Sequence, residues 1–203
     1  GGGWNDSTRK GLSQTMTDFY NNQTSDYNYK DYKDLSTSTR AKGFDCSGFV
    51  GWSAYQVMKP QSNIGYGYTV VAEEVGSYYE DLGWGTVLNQ AYLSGNGWFN
   101  SGHTWIVIGQ CSDKSVVIVH STPNAGVQIS GTSTPGGNYN SEAAYLAAQY
   151  MSRYAGFSKY NYHTSCGNYI RNGNYLRWNG STLSDPDGYK NMTADQILAD
   201  LFS

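Results

Sequence analysis

The chain reads as a domain of mixed helix and strand. Three stretches predict it: an amphipathic helix starting at Cys46, a pair of β-branched runs between His103 and His120, and a capped helix near the C-terminal end. In the first, Phe49, Val50, Ser53, Ala54, Val57 and Met58 follow the i, i+3, i+4, i+7, i+8 pattern of one helical face, and Cys46 lies on that face. Asp45 is a good N-cap type, Gly43 permits a sharp approach, and Lys59-Pro60 supplies a late cation and a stop.

The strands come next. His103-Thr104-Trp105-Ile106-Val107-Ile108-Gly109 and Val116-Val117-Ile118-Val119-His120 are β-branched and aromatic, and the polar Cys111–Ser115 segment between them is short enough for a hairpin. A turn centred near Asp113 and Lys114 sets His120 opposite Ile106 or its neighbours. In that register the two rings can sit near each other on one face, whereas a slip of one residue would separate them.

Further on, Ser141 to Tyr154 reads as a helix with Ala144, Ala147, Ala148, Met151 and Tyr154 facing inward. Tyr175-Leu176-Arg177-Trp178 is the most strand-like part of a tyrosine-rich region and is expected to complete the sheet. Thr193-Ala194-Asp195-Gln196 is a capping-box pattern, and Ile197, Leu198, Leu201 and Phe202 follow as the apolar face of a helix near 193–202 docked on the domain. Ser130 to Asn140 and Gly180 to Lys190 are the loosest stretches, and the first is expected to form a mobile cleft rim.

Composition bounds the function. At 203 residues and 38% hydrophobic content, residues 1–203 are expected to form one domain around one core. Charged residues make up 14% and the formal net charge is −3, so no basic face is expected to neutralise a phosphate backbone, and nucleic acid is not expected as a partner. No apolar run approaches the ~18 residues of a membrane span. No signal peptide opens the chain, and its Gly1-Gly2-Gly3-Trp4 start suggests a trimmed or processed product. A monomer is the expected state.

The chemistry centres on Cys46. A free thiol has a pKa of about 8.5, and the thiolate is the form that attacks. A helix N-terminus lowers that value by roughly one unit or less, and the Asp45 charge opposes it, so a nearby imidazole is required. Of the three histidines, His103 suits the base and His120 the residue that orients it, with the Cys46 backbone N–H as oxyanion donor. His163 reads as structural or exposed. Cys111 and Cys166 read as small buried hydrophobes, not a disulfide. Cys46, His103 and His120 lack the paired spacings of a metal site, so neither metal nor other cofactor is expected. The Asn-x-Ser/Thr triplets at Asn5, Asn22, Asn179 and Asn191 are expected by chance in this composition.

These residues carry a family resemblance. Phe44-Asp45-Cys46-Ser47-Gly48-Phe49-Val50 resembles the Phe-Asp-Cys-Ser-Gly-Leu-Val motif of the NlpC/P60 cysteine peptidases, bacterial enzymes that cut peptidoglycan stem peptides. Gly102-His103-Thr104-Trp105-Ile106-Val107-Ile108-Gly109 is similar to that family's Gly-His-Val-Gly-Ile-Tyr-Ile-Gly strand, and Val119-His120 to the Ile-His pair ending the next one. The similar region runs from about Phe44 to Ser130. The resemblance implies an α+β, papain-like fold with the nucleophile-bearing helix packed on an antiparallel sheet. It also implies a Cys46-His103-His120 triad, Asp45 and Ser47 holding the substrate's free amine, a helical insertion near 141–158, and a secreted or cell-wall location. Two segments depart from it. Tyr27-Asn28-Tyr29-Lys30-Asp31-Tyr32 replaces the family's Tyr-x-Trp-Gly-Gly, leaving Tyr29 and Tyr32 as candidate substrate contacts. Ser94-Gly95-Asn96-Gly97-Trp98-Phe99 replaces its Pro-Gly-Asp-Leu turn. The implied activity is hydrolysis of a D-glutamyl to diamino acid bond. Alternatives are an N-acetylmuramoyl-L-alanine amidase with the same triad, a non-catalytic cell-wall binding module, and an acyltransferase.

Overall fold

A computed structural model describes residues 14–21, 44–58, 70–88, 97–100, 102–122, 126–153, 164–167, 169 and 173–203. In chain order its elements are α1 (Gln14–Asn21), α2 (Cys46–Met58), α3 (Val75–Asp81), β1 (Gly85–Leu88), β2 (Gly97–Asn100), β3 (His103–Gln110), β4 (Val116–Thr122), β5 (Gly126–Gly131), α4 (Glu142–Met151), β6 (Asn174–Trp178), a 3-10 turn (Tyr189–Asn191) and α5 (Ala194–Leu201). The six strands form one sheet in the order β1-β6-β2-β3-β4-β5, and every strand pair is antiparallel. The architecture is therefore α+β.

Alternation along the strands assigns the two faces. Directly opposite residues on paired strands share a face. Val87, Leu176, Ile106, Val119 and Ile129 are linked in this way through successive pairs. On this side α2 buries Val50, Ala54 and Met58 with Val75, Tyr79, Trp84 and Leu176, while α4 and α5 bury Ala143, Ala147, Tyr150, Met151, Ala194 and Leu198 over Val117 and Ile129. The opposite face carries Trp105, Val107, Val116, Ile118 and Tyr175, with Cys166 and Tyr169 packed against them.

Several elements differ from expectation. Val57 is 58% exposed, because it sits on the rim of an apolar cleft of about 200 Å³ between α2, α3 and the sheet, which leaves Val50, Ala54 and Met58 as the buried line of α2. Helix α4 turns Ala143 and Tyr150 inward, where Ala144 and Ala148 were expected. The reason is Gly131: a Cβ there would lie 2.1 Å from the Ala143 carbonyl carbon, so the helix backbone rests directly on the strand at Ala143. Tyr154 lies outside the described residues, as do Gly43, Lys59 and Pro60.

Gly97–Asn100 is a strand paired on both sides, with β3 and β6, and not part of a turn. Strand β6 consequently lies inside the sheet. Ser130 and Gly131 belong to β5, and the buried Thr132 and Ser133 donate their amides to Val116 and Gly167, so the first part of the expected mobile rim is fixed. The α5 capping box is present, with Thr193 N donating to Gln196 Oε1 at 2.9 Å. Ile197 and Leu198 are buried, but Leu201 and Phe202 are exposed at the helix end, Phe202 lying against the Tyr150 ring. Among the described residues no helix is long and apolar enough to cross a membrane.

Candidate active site

The helix start that carries Cys46 is held from two directions. Asp45 Oδ1 accepts the Gly48 amide at 2.7 Å and the Ser47 hydroxyl at 3.3 Å, while the Asp45 carbonyl accepts the Phe49 amide at 2.9 Å. This is N-cap geometry on the third helical amide. Burial works against ionisation of Asp45, but the Gly48 amide leads the interactions that outweigh it and hold the carboxyl below its usual value. Just upstream, Ser121 on β4 donates its hydroxyl to the Phe44 carbonyl at 2.7 Å. The helix is thereby tied to the strand that carries His120.

His103 and His120 come together. His103 Nε2 and His120 Nδ1 lie 2.9 Å apart, with the two rings edge to face at 64°. Ile106 pairs with Val119, so His120 falls beside Trp105, a neighbour of Ile106, and on the His103 face. The turn uses Cys111 to Ser115, with Lys114 in the left-handed region at φ 68°. His120 is 1% exposed, and its Nε2 lies 2.9 Å from Ser130 Oγ and 3.2 Å from Gln128 Nε2, both on β5. The contact to His120 leaves Nδ1 of His103 as the nitrogen available for reaction.

Cys46 reaches this pair at the start of β3. Its Sγ points to the Gly102 carbonyl at 4.0 Å, and the Thr104 amide is directed at the sulfur, so the thiol sits beside both neighbours of His103. Gly102 has φ 95°, a conformation glycine adopts without a Cβ penalty. Among the described residues no hydrogen bond joins the thiol to the His103 ring.

Protonation follows from burial. Desolvation raises the Cys46 pKa above the ordinary 9.0; the Thr104, Ser47 and Cys46 amides pull it down, the Asp45 charge pushes it up, and the balance is upward. The helix-end amides lower the value and Asp45 opposes them, as expected, but burial is the larger effect. Desolvation also lowers the pKa of His103 below 6.5. Both shifts favour the neutral thiol and the neutral imidazole.

Tyr169 is the residue that sequence reasoning missed. Its ring lies edge to face on His103 (5.4 Å) and His120 (5.9 Å) and stacks on Trp105 at 4.7 Å. Burial first, then Cys166 and Cys46 once ionised, push its phenol up to about 12. No motif marks it; only its place in a tyrosine-rich region was visible. The candidate substrate contacts Tyr29 and Tyr32, and also His163, lie outside the described residues.

Cys111 and Cys166 are free thiols, both pushed up to about 12 chiefly by burial. Cys111, Asp113 and Glu142 bring three possible metal-ligating atoms within 4.8 Å of one another. The carboxylates there are already engaged. Asp113 accepts from the Ser115 and Glu142 amides, and Glu142 accepts from the Ser112 amide and hydroxyl. The cluster fastens the β3–β4 turn to the start of α4.

No model of a known protein family matches this chain, and neither a curated protein nor a solved structure does. The resemblance to the NlpC/P60 peptidases rests on the motif segments around Cys46, His103 and His120.

Proposed function

We propose that the protein is a cysteine peptidase of papain-like, NlpC/P60 type that hydrolyses peptidoglycan stem peptides at a D-glutamyl to diamino acid bond, in a secreted or cell-wall setting. The observation that carries this reading is the 2.9 Å contact between His103 and His120 beside a cysteine at a helix N-terminus. In the proposed cycle His103 Nδ1 takes the Cys46 proton as the sulfur attacks the scissile carbonyl. The Cys46 amide, at the first helical position, donates to the developing oxyanion. His103 then protonates the leaving amine, and a water activated by the same ring hydrolyses the thioester. Asp45 and Ser47 lie next to the nucleophile, where an anionic carboxylate suits a free substrate amine; the same carboxylate oxygen that caps the helix would serve it.

The test is mass spectrometry of defined muropeptides incubated with the protein and with Cys46→Ala. Cleavage by the former alone is expected, with product masses identifying the D-glutamyl bond. Products from release of the stem at muramic acid would replace the peptidase reading with the amidase. Loss of no substrate from free-amine or glycan-linked stems would overturn both.

A further inference from the structure

We propose that Ser121 is a positioning residue that sets Cys46 against His103 by holding the Phe44 carbonyl at the start of α2. The inference rests on the reading of Cys46 as nucleophile and His103 as base. Those two groups stand on different elements, a helix start and a strand start. Their relative placement therefore depends on how the first turn of α2 is fixed to the sheet.

The carbonyl that Ser121 holds lies just outside the helix. The Gly48 amide, which could have reached back to it, goes to Asp45 Oδ1 at 2.7 Å, and the first backbone bond of α2 runs from the Phe49 amide to the Asp45 carbonyl at 2.9 Å. Ser121 Oγ supplies a donor to Phe44 at 2.7 Å, from 77 positions along the chain. Ser121 is 4% exposed, so water is a poor substitute for its hydroxyl. The Phe44 ring lies 5.9 Å from that of Trp52 on the same helix, which makes Phe44 part of the body that α2 forms.

Strand alternation brings this tie into the site. Successive residues of β4 point to opposite faces. His120 turns to His103, at 2.9 Å, and Ser121 turns to the side that α2 covers. One register of β4 thus fixes the base through His120 and the nucleophile through Ser121, and a slip of one residue releases both. Two residues beyond the held carbonyl, the Cys46 sulfur sits 4.0 Å from the Gly102 carbonyl and in front of the Thr104 amide, the neighbours of His103 on either side.

Without the hydroxyl, the first turn of α2 loses its hydrogen bond to β4. The apolar contacts of Val50, Ala54 and Met58 still hold the helix on the sheet, but they begin a full turn beyond Cys46. A pivot about them moves the sulfur more than the core. The loss therefore falls on turnover more than on folding or substrate binding, and a displacement of about 1 Å is enough for roughly a hundredfold.

The test compares the full-length parent with Ser121→Ala and Ser121→Thr, which keeps the hydroxyl. Proton NMR without substrate follows the Overhauser contact between the Thr104 amide and the Cys46 β-protons, and defined muropeptides give kcat and KM. Ala is expected to weaken the Overhauser contact at least about twofold and to lower kcat roughly 10- to 100-fold, with KM within about twofold and the His103–His120 contact intact. Thr is expected to restore both to within about threefold of the parent. No change in Ala, equal loss in both variants, or loss of the histidine contact along with the first would overturn the proposal. Should Ala fail to fold, Ser121→Cys decides: it keeps the volume with a weaker donor, at least about a threefold loss of kcat is expected, and values equal to the parent's overturn the tie. If the parent cleaves no muropeptide, the substrate reading fails, while the Overhauser contact in the same variants still decides whether Ser121 places the thiol.

Discussion

The upward shift of the Cys46 thiol makes its reactivity a direct test of the resting state. A thiol with a pKa of 9.0 is about 1% thiolate at pH 7, and Cys46 lies above that value. Alkylation by a neutral reagent should therefore run at pH 7 at under about 1% of its alkaline plateau, rising tenfold per pH unit through neutrality. Asp45 raises the thiol through its charge. Asp45→Asn removes that charge yet keeps a side-chain oxygen for the Gly48 amide. Two like unit charges about 4 Å apart repel by about 1 kcal/mol under water-like screening, equivalent to roughly fivefold in an equilibrium. The variant is expected to alkylate about fivefold faster at pH 7, with the gain shrinking in high salt. The assay is the mass-resolved alkylation rate of Cys46 from pH 4 to 10 in both proteins. A plateau reached below pH 6, meaning a stable thiolate–imidazolium pair, would refute the argument that burial dominates; so would a slower Asp45→Asn variant.

Three further outcomes are expected. Because desolvation holds the His103 pKa below 6.5, the neutral base survives into mild acid, and kcat/KM should fall only as pH drops through a midpoint below 6.5; a midpoint above 7 contradicts this. Tyr169→Ala removes the ring that touches both histidines and Trp105, and should cost roughly 1 to 3 kcal/mol in a urea melt and at least about tenfold in kcat, while Tyr169→Phe keeps the ring and both properties. Gly131→Ala places a Cβ 2.1 Å from the α4 backbone and should destabilise by about 3 kcal/mol or more, so a loss under about 1 kcal/mol would show that α4 can lift off the sheet.

The parts of this molecule that were legible in sequence are those fixed locally. Asp45 announced the start of α2 and the Thr193–Gln196 box that of α5, because caps act within one turn. The hairpin was visible because β-branched runs flank a polar turn. What stayed hidden depends on distant partners. Strand β2, only Gly97–Asn100, looks like a turn until β3 and β6 flank it, and the inward face of α4 is set by its approach to Gly131, not by its own alanine spacing. Tyr169 reaches the histidines from 49 residues beyond His120, through tertiary packing alone.

The meeting of the two histidines depends on one irregularity that local pattern does not encode. From the turn, Gln110 pairs with Val116 and Gly109 with Val117; past the bulge, Val107 pairs with Ile118 and Ile106 with Val119. Continuing the first register would set His120 opposite Ile106, on the helix-covered face and away from His103. The extra residue, Ile108, shifts the pairing by one and sends His120 to the His103 face. Helix α5 holds this bulge: a Cβ on Gly109 would stand 2.9 Å from the Ala194 Cα and 3.0 Å from Ile197 Cδ1. The C-terminal helix therefore does more than cover apolar surface, since it rests on the glycine beside the residue that sets the register. Gly109→Ala should push α5 away and loosen the bulge, lowering kcat by about tenfold or more although the site lies at the other end of β3. Histidine NMR separates this from simple loss of fold, because the His103–His120 contact should weaken in the variant while the hydrogen-exchange protection of β4 and β5 persists. An intact histidine contact in a stable Gly109→Ala protein would show that the strands hold the bulge without the helix.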